Sequence, residues 1–89
     1  MAKQRRNKRI VIKVVERKLG KEKAWGLQYP GEHLIEIDPR QNAKEYFGTC
    51  IHETLHELLP NRSENFIIKA EITLLEVLWK MGYRKVILK

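Results

Sequence analysis

Hydrophobic and polar positions change period midway along this chain, and the change marks where strands give way to helices. Residues 9–18, RIVIKVVERK, alternate through a β-branched run, with Ile10, Ile12 and Val14 set against Val11, Lys13 and Val15. That pattern predicts a strand. The polar stretch Gly20-Lys21-Glu22-Lys23 reads as a turn, and Ala24 to Tyr29 alternates again, with Trp25, Leu27 and Tyr29 on one face. Pro30-Gly31 has type II turn chemistry: proline presets φ at the second turn position and glycine accepts positive φ at the third. His33 to Asp38 is the return strand, with His33, Ile35 and Ile37 on one face and Leu34, Glu36 and Asp38 on the other. Short strands joined by short turns predict a three-stranded antiparallel meander.

From Asp38 the period becomes helical. Asp38 can cap, Pro39 suits a first turn, and Gln41 can close a capping box. Phe47, Cys50, Ile51, Thr54, Leu55 and Leu58 then form one apolar stripe, expected to pack on the sheet. Cys50 within that stripe reads as a core thiol. Pro60-Asn61-Arg62 breaks the helix and Ser63 can cap a second, which runs to about Met81 with Gly82 as its stop. The second helix presents Ile67, Ile68, Leu74, Leu75, Leu78 and Trp79 on a broad apolar face. The end, Tyr83 to Lys89, finishes in Val86-Ile87-Leu88, read as a short strand or an extended tail on the core. The predicted class is α+β, a single domain over residues 9–89 preceded by a flexible arm at 1–8, with no internal repeat.

Composition narrows the setting. A chain of 89 residues with 43% hydrophobic and 33% charged side chains is one small globular domain, not a disordered one. Its single cysteine allows no internal disulfide, which suits a reducing, cytoplasmic compartment. No apolar run is long enough for a transmembrane helix, and Ile10 to Val15, interrupted by Lys13, lacks the features of a signal peptide. The net charge of +7 is concentrated in Lys3, Arg5, Arg6, Lys8 and Arg9. This block reads as a solvated tail or as an arm making weak contacts to nucleic acid phosphates.

The candidate chemistry lies in His52-Glu53-Thr54-Leu55-His56, an H-E-x-x-H match on the first predicted helix. Residues four apart share a helix face, so both imidazoles can reach one metal ion. Glu53, one residue round, can take a proton from a zinc-bound water. Both histidines fall outside the apolar stripe, so the helix can bury one side and offer them from another. A catalytic zinc site wants a third protein ligand. His33 is the only other histidine, and the second helix offers Glu64, Glu71 and Glu76. Glu76 falls toward the polar side. Glu64 and Glu71, seven apart, share the apolar face, where an unpaired carboxylate is costly and tends to bind a metal or a partner. Rise and spacing leave both within reach of the histidines.

The stretch HETLHELLPNRSENFIIKAEITLLEVLWKMGYRK resembles the C-terminal half of small phage- and prophage-encoded zincin-like proteins. Those carry an H-E-x-x-H helix, a proline-containing turn and an acidic helix ending in a Trp-x-x-Gly-Tyr-like segment. The order here is His52, Glu53, His56, Pro60, Glu64, Trp79, Gly82 and Tyr83. The resemblance covers residues 51–84 and implies a gluzincin-type site in which Glu64 is the third zinc ligand. Where that pattern has two adjacent acids, this chain has Glu64-Asn65. Glu71 has no counterpart in that pattern and ranks second as the third ligand; its other reading is a partly buried carboxylate that supports a ligand histidine.

The expected function is that of a zinc-dependent hydrolase, a minimal metallopeptidase, with a peptide or protein substrate. Zinc is held by His52, His56 and Glu64, and Glu53 is general base. The strand His33–Asp38 serves as the edge along which a peptide lies. His33, Tyr46 and Tyr83 are candidates for oxyanion stabilisation. The rival readings are a nucleic-acid-binding module using the basic arm, and a zincin-fold adaptor or inhibitor without proteolysis. If the chain is phage-encoded, its compartment is the host cytoplasm.

Overall fold

The computed structural model describes residues 9–85; residues 1–8, which include the first four cations of the basic arm, and 86–89, which include Val86-Ile87-Leu88, lie outside the described residues. The elements run β1 (Lys13–Glu16), β2 (Gly26–Tyr29), β3 (Leu34–Ile37), α1 (Ala43–Leu58) and α2 (Glu64–Lys80). They make a small α+β domain in which one three-stranded sheet packs against α1, and α2 packs on α1. Among the described residues no helix is long and apolar enough to cross a membrane.

The sheet corrects the expected meander. Its order is β1-β3-β2, with β2 antiparallel to β3 and β1 parallel to it. The β2–β3 hairpin follows the sequence reading: Glu32 N–H donates to Tyr29 O at 3.0 Å across Pro30-Gly31, and Gly31 has φ of 79°. The β1–β2 link does not close a hairpin. Leu19 is fully buried, and its N–H donates to the Asp38 carboxylate at 2.8 Å. That anchor carries the chain past the end of β3 before the polar turn at Gly20–Lys23 reverses it. The last strand therefore inserts between the first two. β1 is also shorter than the alternating run, because its partner strand starts at Leu34 and His33, at φ of 51°, already belongs to the turn.

Both helices have the caps that physics wants, one of them not where expected. Asn42 caps α1, and with Glu45 it forms a reciprocal capping box. Asp38, the expected cap, is fully buried instead. Its carboxylate accepts from Leu19 N–H, from Arg40 N–H and from the Arg40 guanidinium. Ser63 caps α2 by accepting from Phe66 N–H at 3.1 Å. Gly82, at φ of 93°, ends it: Gly82 N–H reaches Trp79 O and Tyr83 N–H reaches Leu78 O, a Schellman closure.

Among the described residues the fully buried apolar side chains are Leu19, Ile35, Ile37 and Ile67, from the β1–β2 link, β3 and α2. The expected seating of α1 needs correction. Thr49, Glu53 and Glu57 are the side chains that meet β2 and its hairpin. The stripe of Phe47, Cys50, Ile51, Thr54, Leu55 and Leu58 lines, with Leu74, an open hollow of about 380 Å³. The reason lies in β2, which offers α1 only Gly26 and Gln28: a bare backbone and an amide accept carboxylates better than they accept leucines.

Candidate metal centre

The turn after α1 sends α2 back antiparallel along it. Arg62 N–H donates to Leu59 O at 3.1 Å, Ser63 caps, and Glu64 is the first residue of α2. Glu64 thereby stands opposite the last turns of α1. Its Oε1 lies 2.8 Å from His56 Nε2 and its Oε2 lies 3.2 Å from His52 Nε2. The two imidazoles, one helical turn apart, have ring centroids 4.8 Å apart in an edge-to-face arrangement. One donor atom from each of His52, His56 and Glu64 lies within 4.8 Å of the others, so this group could hold a metal ion. The Glu64 carboxylate itself is favoured at the N-terminus of α2, where the helix dipole is positive.

Glu71, two turns along α2, meets the other side of His52. Its Oε1 lies 2.9 Å from Nδ1. A proton held on Nδ1 by that carboxylate leaves the Nε2 lone pair facing Glu64 and His56. Glu71 is thus set apart from the donor group, and it is Glu64 that meets both Nε2 atoms. Gly48 makes the approach of the helices possible here. A Cβ on it would come within 2.9 Å of Glu71 Oε2 and 3.2 Å of Leu75 Cδ2.

Glu53 is half-buried between α1 and β2. Burial raises its carboxyl above the ordinary value; the His52 and His56 imidazoles pull it down, and Glu64 and Glu71 push it up. Gly26 of β2 passes directly over it. A Cβ there would sit 2.5 Å from Thr49 Cγ2 and 3.0 Å from Glu53 Cγ, so a side chain at this position would push the Thr49 and Glu53 side chains aside. Trp25, Gly26, Thr49, His52, Glu53 and Glu71 line a cleft of about 200 Å³.

Glu57, beside His56, has a role that the sequence reading missed. Its side chain is 2% exposed and accepts from Gln28 Nε2 at 2.7 Å and from His33 N–H at 3.0 Å, clamping the β2–β3 hairpin onto α1. The available signal was its i, i+4 spacing from Glu53, which puts both carboxylates on one face. His33 itself sits on the hairpin turn, with Nε2 3.6 Å from Glu57. Tyr46 and Tyr83 line a separate hollow with Cys50 and Lys85, and the Tyr46 hydroxyl donates to Glu16. The expected peptide-bearing edge also needs correction. The His33–Asp38 strand is β3, the central strand, and has neighbours on both sides. Arg9, the only cation of the basic arm among the described residues, is exposed.

No family model matches the chain, and neither do any curated proteins or solved structures.

Proposed function

We propose that this chain is a minimal zincin-like metallopeptidase that uses zinc to hydrolyse a peptide bond. The observation that carries the reading is the convergence of His52, His56 and Glu64 beside the half-buried Glu53. Two imidazoles and one carboxylate are a donor set suited to catalytic zinc, and His52, His56 and Glu64 would hold it. When bound, the metal supplies Lewis acidity, polarising a carbonyl and acidifying water. Glu53 accepts the proton of the attacking water and returns it to the leaving amine. Glu71 holds the His52 ring. The likeness of residues 51–84 to small phage-encoded zincin-like proteins is in keeping with this set.

The free edge of β2 provides a track for substrate. Asp38 N–H donates to Trp25 O at 2.8 Å, so residues 25, 27 and 29 face β3 in the antiparallel ladder. Gly26 and Gln28 then turn their backbone N–H and C=O outward, and Gly26 does so above Glu53. An extended peptide adding to this edge would place its backbone over the general base.

The test is metal content followed by a single substitution. Untagged protein supplemented with zinc should retain about one equivalent, and retention below about a tenth would sink the metal reading. Glu53→Gln should keep the zinc and lose peptide hydrolysis. Unchanged biological activity in that variant would instead favour a non-proteolytic adaptor.

A further inference from the structure

We propose that Trp25 selects the substrate, by packing against an aromatic or large aliphatic side chain next to the bond to be cleaved; this rests on the metallopeptidase reading. Trp25 immediately precedes β2 and stands between two hollows, one lined also by His52 and Glu53, the other by Lys23, Asp38 and Arg40. Its side chain is left in water, at 57% exposure for the residue, in a domain small enough to need its apolar surface. Its backbone is fixed by contrast. The carbonyl accepts from Asp38 N–H at 2.8 Å and from Gln41 Nε2 at 3.2 Å. Gln41 Oε1 in turn accepts from Thr49 Oγ1 at 2.7 Å, which ties Trp25 to the same turns of α1 that carry His52 and Glu53.

The other tryptophan shows what a structural indole looks like in this protein. Trp79 is covered by the Arg84 guanidinium at 3.5 Å and meets Phe47 at a centroid distance of 6.5 Å. Among the described residues, Trp25 has no aromatic or cationic partner on its ring. An uncovered indole on a held backbone can serve as a contact surface, since tryptophan gives large contact area for little conformational entropy. The rest of the cleft is small or polar: Gly26, Thr49, His52, Glu53 and Glu71. A peptide paired with Gly26 brings its neighbouring side chain to the indole. The preferred substrate therefore carries a bulky apolar residue there, not an acidic or a small one.

The experiment compares phenylalanine hydroxamate with glycine hydroxamate on the zinc-loaded full chain by calorimetry. Phenylalanine hydroxamate should bind at least about fivefold more tightly, as an aromatic contact of this kind would give. Trp25→Ala should bring the two affinities together while leaving bound zinc unchanged, and Trp25→Phe should restore most of the preference. A preference that survives in Trp25→Ala, or its absence in the parent chain, overturns the assignment. Failure of the parent to retain zinc would sink the metallopeptidase reading and this assignment together, whereas glycine hydroxamate binding without an aromatic preference overturns this assignment alone.

Discussion

Gly26, Gly48 and Glu71 hold the residue-scale geometry of the candidate site. Gly26→Ala forces a methyl into Thr49 and Glu53, so it should destabilise the fold by about 1–3 kcal/mol, as overpacking does. A thermal melt reads that loss, and hydrolysis should fall with it as Glu53 is displaced. Glu71→Ala removes the partner of His52 Nδ1 without touching the three donors, and should weaken zinc binding by about 10–100-fold in a competition titration. Cys50 is pushed up to about 11 by burial, so it should react slowly with iodoacetamide at neutral pH and quickly once the chain is unfolded. Asp38 titrates the other way. The Arg40 guanidinium, helped by the Leu19 and Arg40 N–H groups, holds its carboxyl well below the usual carboxylate range. A depressed folded value means that its contribution is complete above the unfolded value of about 4 and is lost as pH falls below it. The urea midpoint should therefore drop below about pH 4, and Asp38→Asn should flatten that acid limb.

Elements differ in how far they could be read from local pattern. Both helices, the Ser63 cap, the Gly82 stop and the Pro30-Gly31 turn follow from hydrogen bonds within a few residues, and those local bonds made them legible. The α1 cap shows the limit. Asp38-Pro39-Arg40-Gln41 has the right residues for a helix start, but Asp38 is drawn into the core by Leu19 and Arg40, and Asn42 with Glu45 takes the role. Asn42→Ala should cost about 1 kcal/mol, measurable by urea unfolding. Strand order was not legible, since alternation reports which face a residue takes and not which strand lies beside it. The seating of α1 was misread for a related reason. An apolar stripe shows that a face can be buried, but the small and polar inner face of β2 took the Thr49, Glu53 and Glu57 side instead.

At the scale of the whole molecule, few side chains among the described residues are fully buried, and a metal ion would cross-link α1 to α2 at the end where their chain reverses. With zinc at about a hundred times its dissociation constant, linkage adds about 2.7 kcal/mol. For a domain of this size that should raise the melting temperature by roughly 10 °C or more. Glu64→Ala should abolish most of the rise while altering the metal-free melt little, because this carboxylate is largely exposed. A melting temperature indifferent to zinc would count against the donor group as a site.

The sequence by itself determined the helices, their breaks and the one-face placement of His52 and His56, because each depends on contacts within a turn or two. It also limited the third donor to a few carboxylates. Only the tertiary structure brought Glu64 against both imidazoles and Glu71 against the far side of His52, because that choice depends on how α2 reverses and on how closely Gly48 lets it approach. Only the tertiary structure put β3 in the middle of the sheet and left β2, with Trp25 at its head, as the edge beside Glu53. Strand order shows in long-range contacts such as the β1–β3 pairing and Leu19 on Asp38, and no local period encodes a contact nineteen residues away.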